Sequence, residues 1–320
     1  GMMPASISHE GYSAKPMHSY WDNFWALRGY KDAAIIAEHL QKMEVLAITA
    51  ARDEFRTDLQ ASLYAAMAQH RIDFLPGSAE LGDFDATSTT IALAPGGEQG
   101  RLPQPQLDAT FERYWNEFVQ RRDGKREWKD YTPYEWRNVA AFVRLGWRER
   151  AWEATGFFFK DRSPQAWNQW AEVVSRTPRK PFFVGDLPHA WVGSDFVRSA
   201  LDMFAYSRDV DQSLVLAAGV PVRWFEGEGI GVKGLRTPDG LLDYRLQRSD
   251  RQLVLEVRPG VVPPAGGLIL PWPYAGEPGV ATVNGEPAEW IDHELHVHAV
   301  PARVEIEIPA AVRRGERRGD

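Results

Sequence analysis

Near residue 212 the spacing of apolar residues changes from three or four to two, which divides the chain into a helical part and a strand part. Upstream, Ile48, Phe55, Leu59, Leu63 and Met67 mark one helical stripe. A second stripe is Leu107, Phe111, Tyr114 or Trp115, and Phe118, stopping at Arg121 to Gly124 with Gly124 as a C-cap. Thr132-Pro133-Tyr134-Glu135 has the form of a capping box with proline at N1, and Trp136, Val139, Phe142 and Val143 continue it. Helices also fit 20–28, 31–42, 148–159, 166–174 and 195–206. Loops such as Leu75-Pro76-Gly77 and Pro95-Gly96-Gly97 separate them, which predicts a chain of helical hairpins with about eight helices. Downstream, Leu242, Tyr244 and Leu246 alternate with Asp243, Arg245 and Gln247. Leu253, Leu255 and Val257, then Leu295 and Val297, then Val304, Ile306 and Ile308 repeat the alternation. Turn signals at Pro238-Asp239-Gly240 and Asn284-Gly285 make these antiparallel strands. The expected class is α+β: a helical-hairpin domain over 1–211, a β-sandwich over 212–310 and a disordered tail over 311–320.

Composition limits what such a chain does. At 320 residues, 44% hydrophobic and 25% charged, it can bury a sizeable core. A net charge of −7 argues against nucleic acid as a partner, and no run approaches 18 uninterrupted apolar residues, so no membrane span is expected. The absence of cysteine removes disulfides, thiolate metal sites and thiol nucleophiles, while leaving the compartment open. The unusual number is 13 tryptophans, more large rings than a core of this size requires. Some of them are expected to line a site.

Four polar and aromatic segments are candidates for that site. The stretch from Ser6-Ile7-Ser8-His9-Glu10 to His18-Ser19-Tyr20-Trp21-Asp22-Asn23-Phe24-Trp25 precedes a helix, and its rings at near-consecutive positions cannot all face one core. Asp22 there either answers the first-turn amides or works in a cleft. Glu80-Leu81-Gly82-Asp83-Phe84-Asp85 places three carboxylates within six residues; Asp85 reads as the cap of a short helix whose first turn holds Thr87, Ser88 and Thr89, with a divalent ion as the other reading. In Trp167-Asn168-Gln169-Trp170-Ala171-Glu172 a carboxylate sits beside two indoles and two amides, groups that bind hydroxyls; the other reading buries Trp167 and Trp170 together on one helix face. Gly185-Asp186-Leu187-Pro188-His189-Ala190-Trp191 opens a further helix, with Asp195 read as a cap. Gly229-Ile230-Gly231-Val232-Lys233-Gly234 matches a dinucleotide fingerprint but lies among strands, and no phosphate loop, nucleophile elbow or HExxH occurs. His293, His296 and His298 read as solvent-facing because Leu295 and Val297 face the core. No metal or other cofactor is expected.

His18 to Trp25, Trp167 to Glu172 and Pro188-His189-Ala190-Trp191-Val192-Gly193 together resemble the six-hairpin glycosidases, particularly bacterial members that carry a discoidin-like module elsewhere. The similarity spans most of residues 6 to 250. The superfamily includes trehalases, rhamnosidases and processing glucosidases, whose fold is an (α/α)₆ toroid joined to a β-sandwich and whose catalysis is commonly inverting. The resemblance implies a general acid at Glu10 or Asp22 and a base at Glu172. It implies sugar contacts from Trp21, Trp25, Trp167, Asn168, Gln169, Trp170, His189 and Trp191, with Asp83 and Glu135 from the acid-bearing loops. Such enzymes set the two carboxyls about 6.5–9.5 Å apart to admit a water. About eight helices fall short of the twelve such a ring needs, so the toroid is expected to be incomplete and its missing N-terminal half is a candidate partner. The implied function is a glycoside hydrolase acting on oligo- or polysaccharide, in a periplasmic or extracellular setting rather than a cytoplasmic one. The alternative is a non-catalytic carbohydrate-binding or assembly protein on a degraded or truncated glycosidase scaffold.

Overall fold

The computed structural model describes residues 1–7, 12–177, 179–183, 187–249 and 251–312. The expected tail falls mostly outside that range, as does Glu10. The protein is α+β, with a helical N-terminal part followed by a β-rich part, and the chain divides into two compact units. One comprises Gly1–Leu145 and Glu153–Val197, the other Gly146–Trp152 and Arg198–Asp320.

The helical unit is built on α1 (Tyr20–His39), α2 (Val45–His70), α3 (Ala86–Leu93), α4 (Gln104–Arg122), α5 (Trp136–Arg144), and the parts of α6 (Arg148–Phe158) and α7 (Ala190–Phe204) that fall within it. The expected helices at 20–28 and 31–42 are one continuous helix. Gly29 weakens it by about 1 kcal/mol relative to alanine. Arg28 bridges that point by donating to Asp32 at 3.0 Å, and the buried Lys31 ammonium donates to the carbonyls of Gly96 and Gly97 and to Glu98. A layered order follows from the contacts: α1 packs on α2 and α3, and α3 packs on α4 and α5. Trp136 of α5 meets Phe196 of α7 with ring centroids 5.1 Å apart.

No helix forms over 166–174. A 3-10 turn at Gln165–Trp167 ends at Asn168, which is left-handed (φ 49°), and the β-branched Val173 and Val174 enter a strand. That strand, β2 (Val173–Ser175), lies between β1 (Asp130–Tyr131) and β3 (Lys180–Phe183) in an antiparallel sheet inside the helical part. Burial of Trp170 decides the local path, because its indole N–H donates to the Phe158 carbonyl at 2.8 Å and its ring packs on Trp136 and Phe196.

The β-rich unit holds β4 (Ala205–Arg208), β5 (Ser213–Leu216), β6 (Ile230–Thr237), β7 (Gly240–Arg248), β8 (Gln252–Val257), β9 (Leu268–Pro271), β10 (Ala281–Val283), β11 (Glu286–Ala288), β12 (Trp290–Ile291), β13 (Glu294–Val297) and β14 (Ala302–Glu307). They form a six-stranded sheet in the order β11-β10-β14-β8-β7-β6 and a five-stranded sheet in the order β12-β13-β9-β5-β4. The period of two is realised: Leu242, Tyr244, Leu246, Leu253, Leu255, Val304 and Ile306 are buried, and Leu255 lies opposite Val304. Asn284 and Gly285 both take positive φ, as the two-residue turn between β10 and β11 requires. The expectation of purely antiparallel strands needs one correction, since β5 pairs with β9 in parallel, Leu214 beside Leu268 and Val215 beside Ile269.

Candidate functional site

The second residues of α1, α5 and α7 are Trp21, Arg137 and Trp191, and they meet. The Arg137 guanidinium lies 4.8 Å from the Trp21 ring, 4.6 Å from Tyr134 and 5.5 Å from Trp191. Trp21 and Trp191 stand 6.2 Å apart, and Trp25, one turn along α1, meets Trp21 edge-on at 5.8 Å. Arg137 Nε donates to Asp195 at 2.7 Å in an ion pair whose side chains are 2% and 3% exposed. Tyr134 Oη and His189 Nε2 share a hydrogen bond of 2.6 Å, and the His189 amide donates to the Trp170 carbonyl at 3.2 Å. Asp195 is therefore not a helix cap. It lies one turn after Trp191 on α7, which turns it toward the same cluster.

The start of α3 joins this group. Asp85 caps that helix as expected, accepting from the Ser88 amide at 3.0 Å and from the Ser88 hydroxyl, while the Thr89 hydroxyl donates to the Asp85 carbonyl at 3.1 Å. Burial pushes the Asp85 carboxyl above the usual carboxylate range; the Ser88 hydrogen bonds and the charge of Arg137 work against burial, and that of Asp83 adds to it. Asp83 accepts from Tyr12 Oη at 2.7 Å and from the Ser78 hydroxyl at 2.8 Å. A cavity of about 450 Å³ opens beside Asp85, with Phe84, Tyr114, Trp128 and Glu135 in its walls.

Glu135 does not close a capping box. Thr132 accepts from the Tyr134 amide at 3.3 Å, and the Glu135 carboxylate is held instead by both terminal nitrogens of Arg121, at 2.7 and 2.5 Å, and by Tyr114 Oη at 2.5 Å. Burial opposes the Arg121 charge, but Glu135 more than offsets it and raises the guanidinium above its ordinary value.

The remaining candidates are dispersed. Asp22 accepts from the Ser6 hydroxyl at 2.9 Å. Trp167 is 63% exposed while Trp170 is in the core, so the two indoles do not share a face. Asn168 accepts from Arg162 Nη1 at 2.6 Å. Gln169 Oε1 is buried without a hydrogen-bond partner among the described residues and looks toward α7, where a Cβ on Gly193 would stand 3.6 Å away. Glu172, half-buried, sits on the segment entering β2. His296 and His298 lie on β13 and the residue after it, and Leu295 and Val297, which alternate with them, are buried as expected. Among the described residues no group of three or more His, Asp or Glu side chains could hold a metal ion, and no helix is long and apolar enough to cross a membrane.

Sequence reasoning missed Arg137, Tyr134 and Asp195 as members of the cluster. The available signal was positional, since Trp21, Arg137 and Trp191 each follow the first residue of a helix. No family model matches the chain, and no curated protein matches it.

Proposed function

We propose that the helical unit is part of an (α/α)₆ toroid of the six-hairpin glycosidase type, that the strands after it form a β-sandwich, and that the chain is a glycoside hydrolase working by inverting acid–base hydrolysis. The observation that carries this reading is the gathering of four helix starts, those of α1, α3, α5 and α7, on one aromatic and acidic cluster. Alternate helices touch in succession while α2 and α4 each pack beside the preceding one, the layering a ring of hairpins requires. The exposed Ile35, Ile36, Leu40, Met43 and Leu46 at the α1–α2 tip suit further helical hairpins as the partner that extends the ring.

In this reading Asp85 is the proton donor, because a carboxyl raised by burial keeps its proton closer to neutral pH and can deliver it to the leaving glycosidic oxygen. For the base that deprotonates the attacking water, the acids available are those that the resemblance nominates, Glu172 with Asp22 and Glu10, and Glu172 is the one on the segment that holds Trp170. Trp191, the half-buried one of the two indoles, offers its ring to the sugar with Trp21 behind it, and the Arg137–Asp195 pair positions both. Carbohydrate is the partner; the chemistry needs no cofactor.

The test is hydrolysis of a panel of aryl glycosides and oligosaccharides, with product anomers followed by NMR. Asp85→Asn and Glu172→Gln should each lower kcat by about 10²–10⁴-fold on any substrate the parent cleaves. Full activity in both variants would overturn the assignment. A second reading, a non-catalytic carbohydrate-binding protein, is favoured by the closed state of the cluster, where Trp21, Arg137, His189 and Asp195 are all buried. Binding of oligosaccharide with no turnover on the whole panel would select it.

A further inference from the structure

Two of the tryptophans in the β-rich unit are spent on its surface. A 3-10 turn at Val222–Phe225 is anchored at one end by the buried Pro221 and at the other by the fully buried Phe225. Between those anchors Arg223 and Trp224 point outward, and Trp224 is 39% exposed. The Trp224 ring stands edge-on to Trp152, with centroids 4.9 Å apart and planes at 77°. The Arg223 guanidinium lies 5.2 Å from the Trp152 ring.

This pair is rigidly presented. Trp152 lies one turn after Arg148, whose guanidinium donates to the carbonyls of Ala217, Ala218 and Pro273 at 3.2, 2.9 and 3.3 Å. Those bonds tie the start of α6 to the strand end that leads into the 222–225 turn, so the two indoles approach each other from segments already fixed. Burial lowers the Arg148 pKa to about 10, which leaves it charged at neutral pH and keeps the tie intact. A ligand that lands there orders almost nothing, which is the condition for useful affinity from a small contact.

We infer that Trp224, backed by Trp152 and flanked by Arg223, is a carbohydrate-binding platform that holds a pyranose unit of a polysaccharide chain outside the proposed active site. The indole face matches the C–H face of one sugar ring, and the guanidinium supplies donors for its hydroxyls. The surroundings favour a sugar over a protein partner. The next residues in the chain, Glu226, Gly227 and Glu228, are exposed and offer two carboxylates and no apolar side chain, which suits a single sugar ring better than a stable protein interface of about 1,000 Å² or more. The choice of carbohydrate rests on the proposed function, and the experiment separates the two.

The full chain and Trp224→Ala are compared by affinity electrophoresis in gels containing soluble xylan, β-glucan, dextran or pectin, alongside aryl-glycoside turnover. The parent should be retarded by at least one polymer. Trp224→Ala should weaken that retardation by about five- to tenfold, with small-substrate turnover unchanged, and Trp224→Phe should restore part of it. Equal retardation of parent and Trp224→Ala, or no retardation of the parent by any polymer, overturns the platform. Ring-dependent retardation without turnover leaves the platform standing and removes the hydrolase; turnover without ring-dependent retardation does the reverse.

Discussion

Among the described residues, the buried polar side chains of the β-rich unit are Arg148, Ser199, Asp202 and Ser213, set in an interior of Leu242, Leu246, Leu253, Leu255 and Ile306. The helical unit buries Lys31, Glu98, Glu135, Arg137, Asp161, His189 and Asp195 as well as many small hydroxyl residues. Two arginines make the contrast concrete. Arg137 is paired to a carboxylate and ringed by aromatics, while Arg148 is held by backbone carbonyls and has a lowered pKa because burial outweighs the pull of Glu149. One unit gains its stability from transfer of apolar area; the other devotes part of its interior to charges whose geometry must be right. Chemistry is expected where the charges are.

Substitutions can break that contrast. The largest effect is expected for Asp195→Ala, which takes away the carboxylate 2.7 Å from the buried Arg137 guanidinium and should cost about 3–5 kcal/mol by denaturant unfolding. Replacing both partners, Arg137→Met with Asp195→Leu, should recover most of that loss; if it does not, the pair does more than neutralise itself. In the β-rich unit Leu255→Ala should cost about 2–4 kcal/mol by leaving a cavity opposite Val304. A smaller effect of opposite sign is expected at Asp85. Its raised pKa means that the folded state binds the proton more tightly than the unfolded chain, so stability is lost as pH rises from the ordinary carboxylate range through the folded value. Asp85→Asn keeps a capping side chain and removes that penalty, so it should raise the Tm near neutral pH, with the gain shrinking in acid. An equal gain at both pH values would mean that titration is not its source. Smallest is Trp167→Ala, expected within about 0.5 kcal/mol of the parent because that indole is mostly in solvent.

The alternation at Leu242-Tyr244-Leu246 was legible because a half-buried strand writes its burial into every second residue. The stripe Leu107, Phe111, Tyr114, Phe118 was legible for the matching reason in α4, and Asp85 because a cap is a local event. The path through 163–175 was not, since Trp170 is placed by the Phe158 carbonyl and by rings on α5 and α7, which local propensity does not contain. The aromatic segments that hold Trp21 and that hold His189 and Trp191 stood out by composition, and the tie between them did not. Arg137 and Asp195 are 58 positions apart, and nothing in either neighbourhood announces the other. At Glu135 the capping spacing hid the partners 14 and 21 positions earlier.

The parallel pairing of β5 with β9 has a consequence for how the strand-rich half assembles. β6, β7 and β8, all belonging to the other sheet, lie in the chain between these partners, so bringing Leu214 alongside Leu268 closes a loop of about 50 residues. The meander β6–β7–β8 zips through near neighbours and needs no such closure. During refolding the amides of that meander should gain protection from solvent exchange first, and the middle of the five-stranded sheet should set last, like a keystone dropped in after the arch has been raised.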